Sequence, residues 1–222
     1  MDGAARAPRR IAGLPALVNG PARARGTLIL AHGAGAPMDH PFMTTVAEAV
    51  AAQGIRVVRF EFPYMAARRE GRRPGPDREP VLRESWTRVV AEAGTRGRTV
   101  IGGKSMGGRI ASMVADDPSV TERVTGVVCL GYPFHPPGRP DRLRTAHLEE
   151  IATPVLILQG ERDIFGARAE VEGYRLSEQV EVRWFEDGDH SLKPRKSSGR
   201  TEAEHLAEAA RLASEFVLRV TG

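Results

Sequence analysis

A chain of 222 residues is long enough for one substantial domain and short for two, and 41% hydrophobic residues can fill a packed core. No apolar run approaches the roughly 20 residues that cross a bilayer, and the basic opening "MDGAARAPRR" leads into no signal-type segment. A net charge of +4 keeps an acidic ligand in view, but the basic stretches 68–79 and 193–200 carry no aromatic side chain for base stacking, so neither nucleic acid nor membrane is the expected partner.

In chain order, residues 1–10 are expected to be a flexible N-terminus of a single domain spanning 1–222. "TLILAH" (27–32) is a strand bounded by Gly26 and Gly33, and "MTTVAEAVAAQG" (43–54) a helix stopped at Gly54. "IRVVRFEF" (55–62) is a strand that Pro63 ends, followed by an Arg-rich loop. "PVLRESWTRVVAEAG" (80–94) is a helix with Val81, Trp86, Val89 and Val90 on or near one face. "TVIGG" is a short strand, and "GGRIASMVADD" a helix closed by Pro118. "VTGVVCLGYP" (124–133) and "PVLILQG" (154–160) are fully apolar strands. "ARAEVEGYRLS" (167–177) reads as helical and "VEVRWFE" (180–186) as an alternating strand. "TEAEHLAEAARLASEFVLRV" (201–220) is a long amphipathic helix. Strands alternating with helices over the full length imply an α/β fold, a mostly parallel central sheet flanked by helices, with ligands at the carboxyl ends of the strands. The lone Cys129, in "VVCLGY", reads as a small core residue and fits a reducing compartment, so a cytoplasmic protein is expected.

The stretch "TVIGGKSMGG" (99–108) has two chemical readings. A phosphate loop needs a glycine five residues before Gly103, where Arg98 stands, and "TVI" would be strand where the loop must be. The alternative, G-x-S-x-G between a strand and a helix, is met by Gly103-Lys104-Ser105-Met106-Gly107. There, small residues let strand and helix approach, and the serine hydroxyl stands exposed at the strand end. Such a serine needs a base and the base an orienting acid, on loops after later strands and in the order Ser, acid, His. Asp163 follows "PVLILQG" and His190 follows "VEVRWFE", which makes Ser105, Asp163 and His190 the expected catalytic set. Among the other histidines, His205 lies inside the last helix and His147 precedes a strand. The oxyanion donors should be the N–H of Met106 and one from "AHGAGAP", with Ala34 first choice and Gly33 or Gly35 as neighbours. His32 reads as structural; Asp39 and His40 either border the pocket or cap the helix near Phe42.

These features resemble the α/β-hydrolases over almost the whole chain. More narrowly, "HGAGAPMDHPFM", "RFEFPYM", "GGKSMGGRIAS", "GYPFHPPGRP", "TPVLILQGERDIFG" and "DGDHSLKPRKS" are similar to a branch of small hydrolase-like proteins related to the testis-expressed protein and the NSL histone-acetyltransferase-complex subunit. The resemblance implies an α/β-hydrolase fold with a Ser105–His190–Asp163 triad. Where many of these proteins carry a helical lid, this chain has only "FHPPGRPDRLRTAHLEE", so minimal or no lid is expected. Dienelactone-hydrolase-like proteins share the small size and resemble a cysteine-nucleophile pattern, from which Ser105 departs. The expected function is hydrolysis of an ester or thioester through an acyl-enzyme, with no metal or cofactor. A small-molecule acyl substrate is the expected partner, an anionic one being favoured by the two basic segments. The alternative is a scaffold or binding protein on the same fold.

Overall fold

The computed structural model describes residues 9–222. Among these, the strands are β1 (Arg9–Ile11), β2 (Leu14–Asn19), β3 (Thr27–Ala31), β4 (Arg56–Phe60), β5 (Thr99–Lys104), β6 (Val124–Leu130), β7 (Val155–Gly160) and β8 (Val180–Phe185). The helices are α1 (Pro41–Ala52), α2 (Pro63–Arg69), α3 (Glu79–Ala93), α4 (Met106–Val114), α5 (Arg168–Val171) and α6 (Glu202–Thr221). All eight strands join one sheet in the order β1-β2-β4-β3-β5-β6-β7-β8. The pairs β1–β2 and β2–β4 are antiparallel, and every pair from β4 to β8 is parallel.

Alternate side chains of the central strands serve two cores, because successive residues of a strand point to opposite faces. Ile29, Val58, Ile101, Val127 and Ile157 pack with Trp86, Val89 and Ile110 on the face covered by α3 and α4. Leu28, Val57, Val100, Val128 and Leu156 pack with Val46, Val50, Ala213 and Phe216 on the face covered by α1 and α6. The α6 helix starts at a reciprocal cap: Thr201 Oγ1 accepts the Glu204 N–H at 3.2 Å, and Glu204 Oε2 accepts the Thr201 N–H at 2.8 Å. The α1 helix has Pro41 in its first turn, and Gly54 follows it at φ 81°.

Several local expectations are corrected. Arg9 and Arg10 belong to β1 rather than to a flexible end, and residues 1–8 of that expectation lie outside the described residues. The β1–β2 hairpin turns through Ala12 (φ 53°) and Gly13 (φ 78°), the two positive φ values of a primed turn. Pro63 opens a helix instead of merely ending a strand, since a missing N–H costs nothing in a first helical turn. The helix expected over 167–177 is confined to the four residues of α5. Val81 is exposed, while Trp86, Val89 and Val90 are buried.

The order of strands reverses between β3 and β5: the chain leaves β3 for β4 on one side and returns to β5 on the other. In an open α/β sheet the crevice beyond such a reversal is where ligands bind. The loops after β3 and β5 carry Gly33, Ala34 and Ser105.

Candidate active site

Ser105 joins β5 to α4 with φ 51° and ψ −117°, a backbone state that residues with a β-carbon rarely adopt. Two neighbours explain how it is held. A β-carbon on Gly103 would lie 2.0 Å from the Ala31 carbonyl oxygen, and one on Gly107 would lie 2.4 Å from the same atom. Only glycine lets β5 and the first turn of α4 press against β3 this closely. The turn is anchored by the Ser105 N–H on the Leu130 carbonyl at 3.1 Å and by the Arg109 N–H on the Ser105 carbonyl at 3.0 Å. Met106 is the first residue of α4, so its N–H has no acceptor within the helix and is available at the serine.

Asp163 lies in the loop after β7 and is fully buried. Its Oδ2 stands 2.7 Å from His190 Nδ1 and also accepts the Gln159 amide at 2.9 Å, while Oδ1 accepts the Phe165 N–H at 2.9 Å. A carboxylate only accepts, so Nδ1 of His190 carries the proton and Nε2 keeps a free lone pair. Burial lowers the His190 pKa below its ordinary 6.5; the bond to Asp163 opposes that shift and the Lys104 charge adds to it. The ring is therefore neutral at pH 7. It stacks obliquely on Phe165, with centroids 4.2 Å apart.

Ser105 and His190 line one cleft of about 330 Å³, together with Gly33, Ala34, Phe42 and Met43. Among the described residues, the Ser105 hydroxyl makes no hydrogen bond to the His190 ring. The Asp163–His190 half of the expected set is hydrogen bonded, and Ser105 shares the cleft wall with His190. Catalytic contacts of this kind are often long before substrate binds.

The loop after β3 is held from behind. His32 is buried; its Nε2 accepts the Phe62 N–H at 3.2 Å, so its Nδ1 donates to the Gly33 carbonyl at 2.7 Å. The Tyr64 hydroxyl lies 3.0 Å from the Ala34 carbonyl and 3.3 Å from that of Gly33. In a trans peptide the N–H points opposite to the C=O. Fixing the Gly33 carbonyl on His32 and Tyr64 thus turns the Ala34 N–H the other way. His32 is structural, as expected. His40 both lines the cleft and caps α1, its Nδ1 accepting the Phe42 N–H at 3.3 Å. Asp39 is ion-paired with Arg69 at 2.7 Å.

Two residues went unnoticed in the sequence. Gln159, at the end of β7, is the buried amide that fastens Asp163; it also bonds the Tyr132 N–H at 2.7 Å. A polar residue inside "PVLILQG" was the available signal. Lys104 sits beside Ser105 and donates from Nζ to the His190 carbonyl, with the ammonium 5.5 Å from the Phe42 ring centre. Burial lowers its pKa to about 8 against the pull of Asp163 and Asp189.

The basic segments do not supply the cations of the site. Arg69 is engaged by Glu61 and Asp39, Arg72 by Glu70, Lys193 by Glu202 and Arg195 by Asp187. The cation in the wall of this cleft is Lys104.

Comparison with known proteins shows the family. A family model described as "Alpha/beta hydrolase domain" matches residues 24–218. The chain belongs to the α/β-hydrolase family. Solved structures of similar fold include an α/β serine hydrolase homologue from Coxiella burnetii, 20% identical, covering 99% of this chain and 97% of that one with a TM-score of 0.65. A dienelactone hydrolase from Anabaena variabilis is 20% identical over 93% of this chain and 92% of that one, with a TM-score of 0.68. Est1E from Butyrivibrio proteoclasticus, solved with ferulic acid, is 14% identical over 96% and 98% with a TM-score of 0.69. At these identities the likeness speaks to the fold, and this α/β-hydrolase matches such chains nearly end to end. The segment between β6 and β7 contains one short 3-10 turn, Ala146–Leu148, and no lid domain. Among the described residues, no helix is long and apolar enough to cross a membrane.

Proposed function

We propose that this α/β-hydrolase is a serine hydrolase that cleaves an ester or thioester through an acyl-enzyme. Ser105 Oγ attacks the carbonyl carbon while His190 Nε2 takes its proton. Asp163 keeps Nδ1 protonated and balances the charge that forms on the ring. The Met106 and Ala34 N–H groups hold the oxyanion, with the field of α4 adding to their effect. Collapse expels the alcohol or thiol, which takes the proton from His190. Water then attacks the acyl carbon as His190 again accepts a proton, and Ser105 leaves with that proton restored. The chemistry uses the chain's own residues and requires no metal or cofactor.

The observation that carries this reading is a buried carboxylate bonded at 2.7 Å to a histidine that shares a cleft with a serine on a strained strand-to-helix turn. The branch resembling the testis-expressed and NSL-complex proteins is part of the proposal, resting on the six motifs from "HGAGAPMDHPFM" to "DGDHSLKPRKS" taken together. The single buried thiol, Cys129, supports a reducing, cytoplasmic setting.

A fluorophosphonate probe is expected to label the wild-type protein, and labelling should vanish in Ser105→Ala. Hydrolysis of p-nitrophenyl esters should fall by at least about a thousandfold in that variant. Folded wild-type protein that takes no label would defeat the hydrolase reading and favour a binding protein on a hydrolase fold.

A further inference from the structure

We propose that a second cleft at Ser105 is a subsite for an anionic group of the substrate, a carboxylate or an anion of like chemistry, held by Arg109 and Arg144. The inference rests on the hydrolase reading above and goes on to name a substrate class.

This cleft also has a volume of about 330 Å³, and it opens on the α4 side of Ser105. Ala34, Ser105 and Phe165 belong to both clefts, so the two chambers meet at the expected point of bond cleavage. Arg109 stands four residues after Ser105 in the first turns of α4, and that spacing puts both on one side of the helix. Arg144 comes from the segment between β6 and β7. Its position there is fixed by the backbone: its N–H donates to the Phe134 carbonyl at 2.7 Å, and its own carbonyl accepts the Tyr132 hydroxyl at 2.8 Å.

The two guanidinium groups are under-supplied with acceptors. Arg109 Nε is buried with no hydrogen-bond partner. The Arg109 contact with Glu79 is long, at 3.4 Å, and Glu79 is shared with Arg83 at 3.8 Å. Asp77, the other acid of the cleft wall, accepts the Tyr64 N–H at 2.9 Å. The charged or titratable groups acting on Arg144 are Arg109 and the Tyr132 hydroxyl, and burial together with Arg109 lowers its pKa. A buried donor without an acceptor is destabilising, and the charges of Arg109 and Arg144 repel. An oxyanion between the two arginines relieves their mutual repulsion, and paired planar donors match a carboxylate.

The rest of the wall says what else such a substrate carries. Leu82, Met106, Ile110 and Pro133 are apolar. The exposed large hydrophobic residues among those described are Val81, Leu143 and Ile164, each next in sequence to a residue of this cleft: Leu82, Arg144 and Phe165. Two arginines in a wall that also carries Leu82, Met106, Ile110 and Pro133 fit an ester whose acyl or leaving group joins an apolar body to an anion.

Two probe pairs test this and separate the sides of the scissile bond. One sets mono-p-nitrophenyl adipate against p-nitrophenyl hexanoate; the other sets the acetate ester of 4-hydroxybenzoate against that of 4-hydroxybenzamide. The readout is the anionic-to-neutral ratio of kcat/KM. The ratio should exceed about ten for one pair, fall about tenfold in Arg109→Gln and in Arg144→Gln, and recover only in part in Arg144→Lys, which keeps the charge and loses the planar fork. Arg144→Gln lies outside any helix, so it keeps the test open if the α4 variant fails to fold. Equal cleavage within both pairs, or a preference that survives both Gln variants, overturns the subsite. Calorimetric titration with adipate and 4-hydroxybenzoate, against 4-hydroxybenzamide, reads the same cleft without turnover. Anion binding that is lost in Arg144→Gln, in a protein that takes no fluorophosphonate, would remove the hydrolase reading and leave the subsite standing. No anion binding in wild type would remove the subsite.

Discussion

Ser105 occupies a backbone state that costs a residue with a β-carbon about 1–3 kcal/mol, and the residues around it bear that cost by leaving no other path from β5 to α4. The residue beside it, Lys104, has a separate part. Its Nζ reaches across to the His190 carbonyl, so one side chain ties the nucleophile strand to the loop that carries the base. The charges that face His190 are Asp163, Asp189 and Lys104, and only Lys104 opposes protonation of the ring. Removing that cation stabilises the imidazolium and so raises the His190 pKa. Lys104→Met should therefore move the acid limb of the kcat/KM–pH profile to higher pH and lower kcat. Lys104→Arg should keep the limb near its wild-type position, which lies below 6.5 because burial lowers the His190 pKa. An unmoved limb in Lys104→Met would mean that the lysine serves packing alone.

Elements meet at the site through missing side chains. The first turn of α4 lies on the end of β3 because Gly107 has no β-carbon, and one added there would stand 2.4 Å from the Ala31 oxygen and 2.7 Å from that of His32. Both are backbone atoms and cannot swing aside. Gly107→Ala should cost about 1–3 kcal/mol or more, seen as a lower thermal midpoint, and should reduce turnover because the Met106 N–H moves with the helix. The control is Gly75→Ala, where nothing lies within 4 Å of the new β-carbon and the change should stay within about 0.5 kcal/mol. Equal midpoints for the two variants would show that α4 shifts freely. The elements hidden from the sequence reading are the ones whose local signals were weak. β1 is three residues long, two of them arginine, and α2 starts at a proline that also reads as the end of a strand. α5 stops after one turn because the chain must return to the sheet as β8, which tertiary packing decides.

Across the molecule, imidazoles that the fold wholly or partly withdraws from water shape the response to acid. His32, His147 and His190 all have lowered pKa values, with burial the largest cause in each. His147, held between Ser112 Oγ at 2.8 Å and Tyr132 Oη at 3.5 Å, is lowered from 6.5 to about 4. The unfolded chain binds protons at these residues near pH 6.5 while the folded chain does not, so stability is full above that pH and declines below it. For His147 the decline continues to about pH 4 and amounts to at most about 3 kcal/mol, screening of the partly exposed ring reducing it. Thermal midpoints measured from pH 7.5 down to pH 5 should fall, and His147→Gln should flatten the slope. An unchanged slope in that variant would mean that His147 is protonated in the fold.

The sequence by itself determined the alternation of strand and helix, the G-x-S-x-G turn, and the loops that carry Asp163 and His190. Each of these is written in local periodicity or in glycine spacing that one segment contains whole. It also located the glycine-rich loop after β3, since small residues beside a strand end have few other uses. Only the tertiary structure decided which groups face the serine. The arginines of 68–79 and the cations of 193–200 are dense in sequence, yet several are taken up by neighbouring acids. The cations that line the two clefts, Lys104, Arg109 and Arg144, are scattered along the chain. Charge acts through distance in space, and a side chain's partners are chosen when the sheet brings strand ends together. For that reason Gln159, Lys104 and the Arg109–Arg144 pair became legible only in the folded chain.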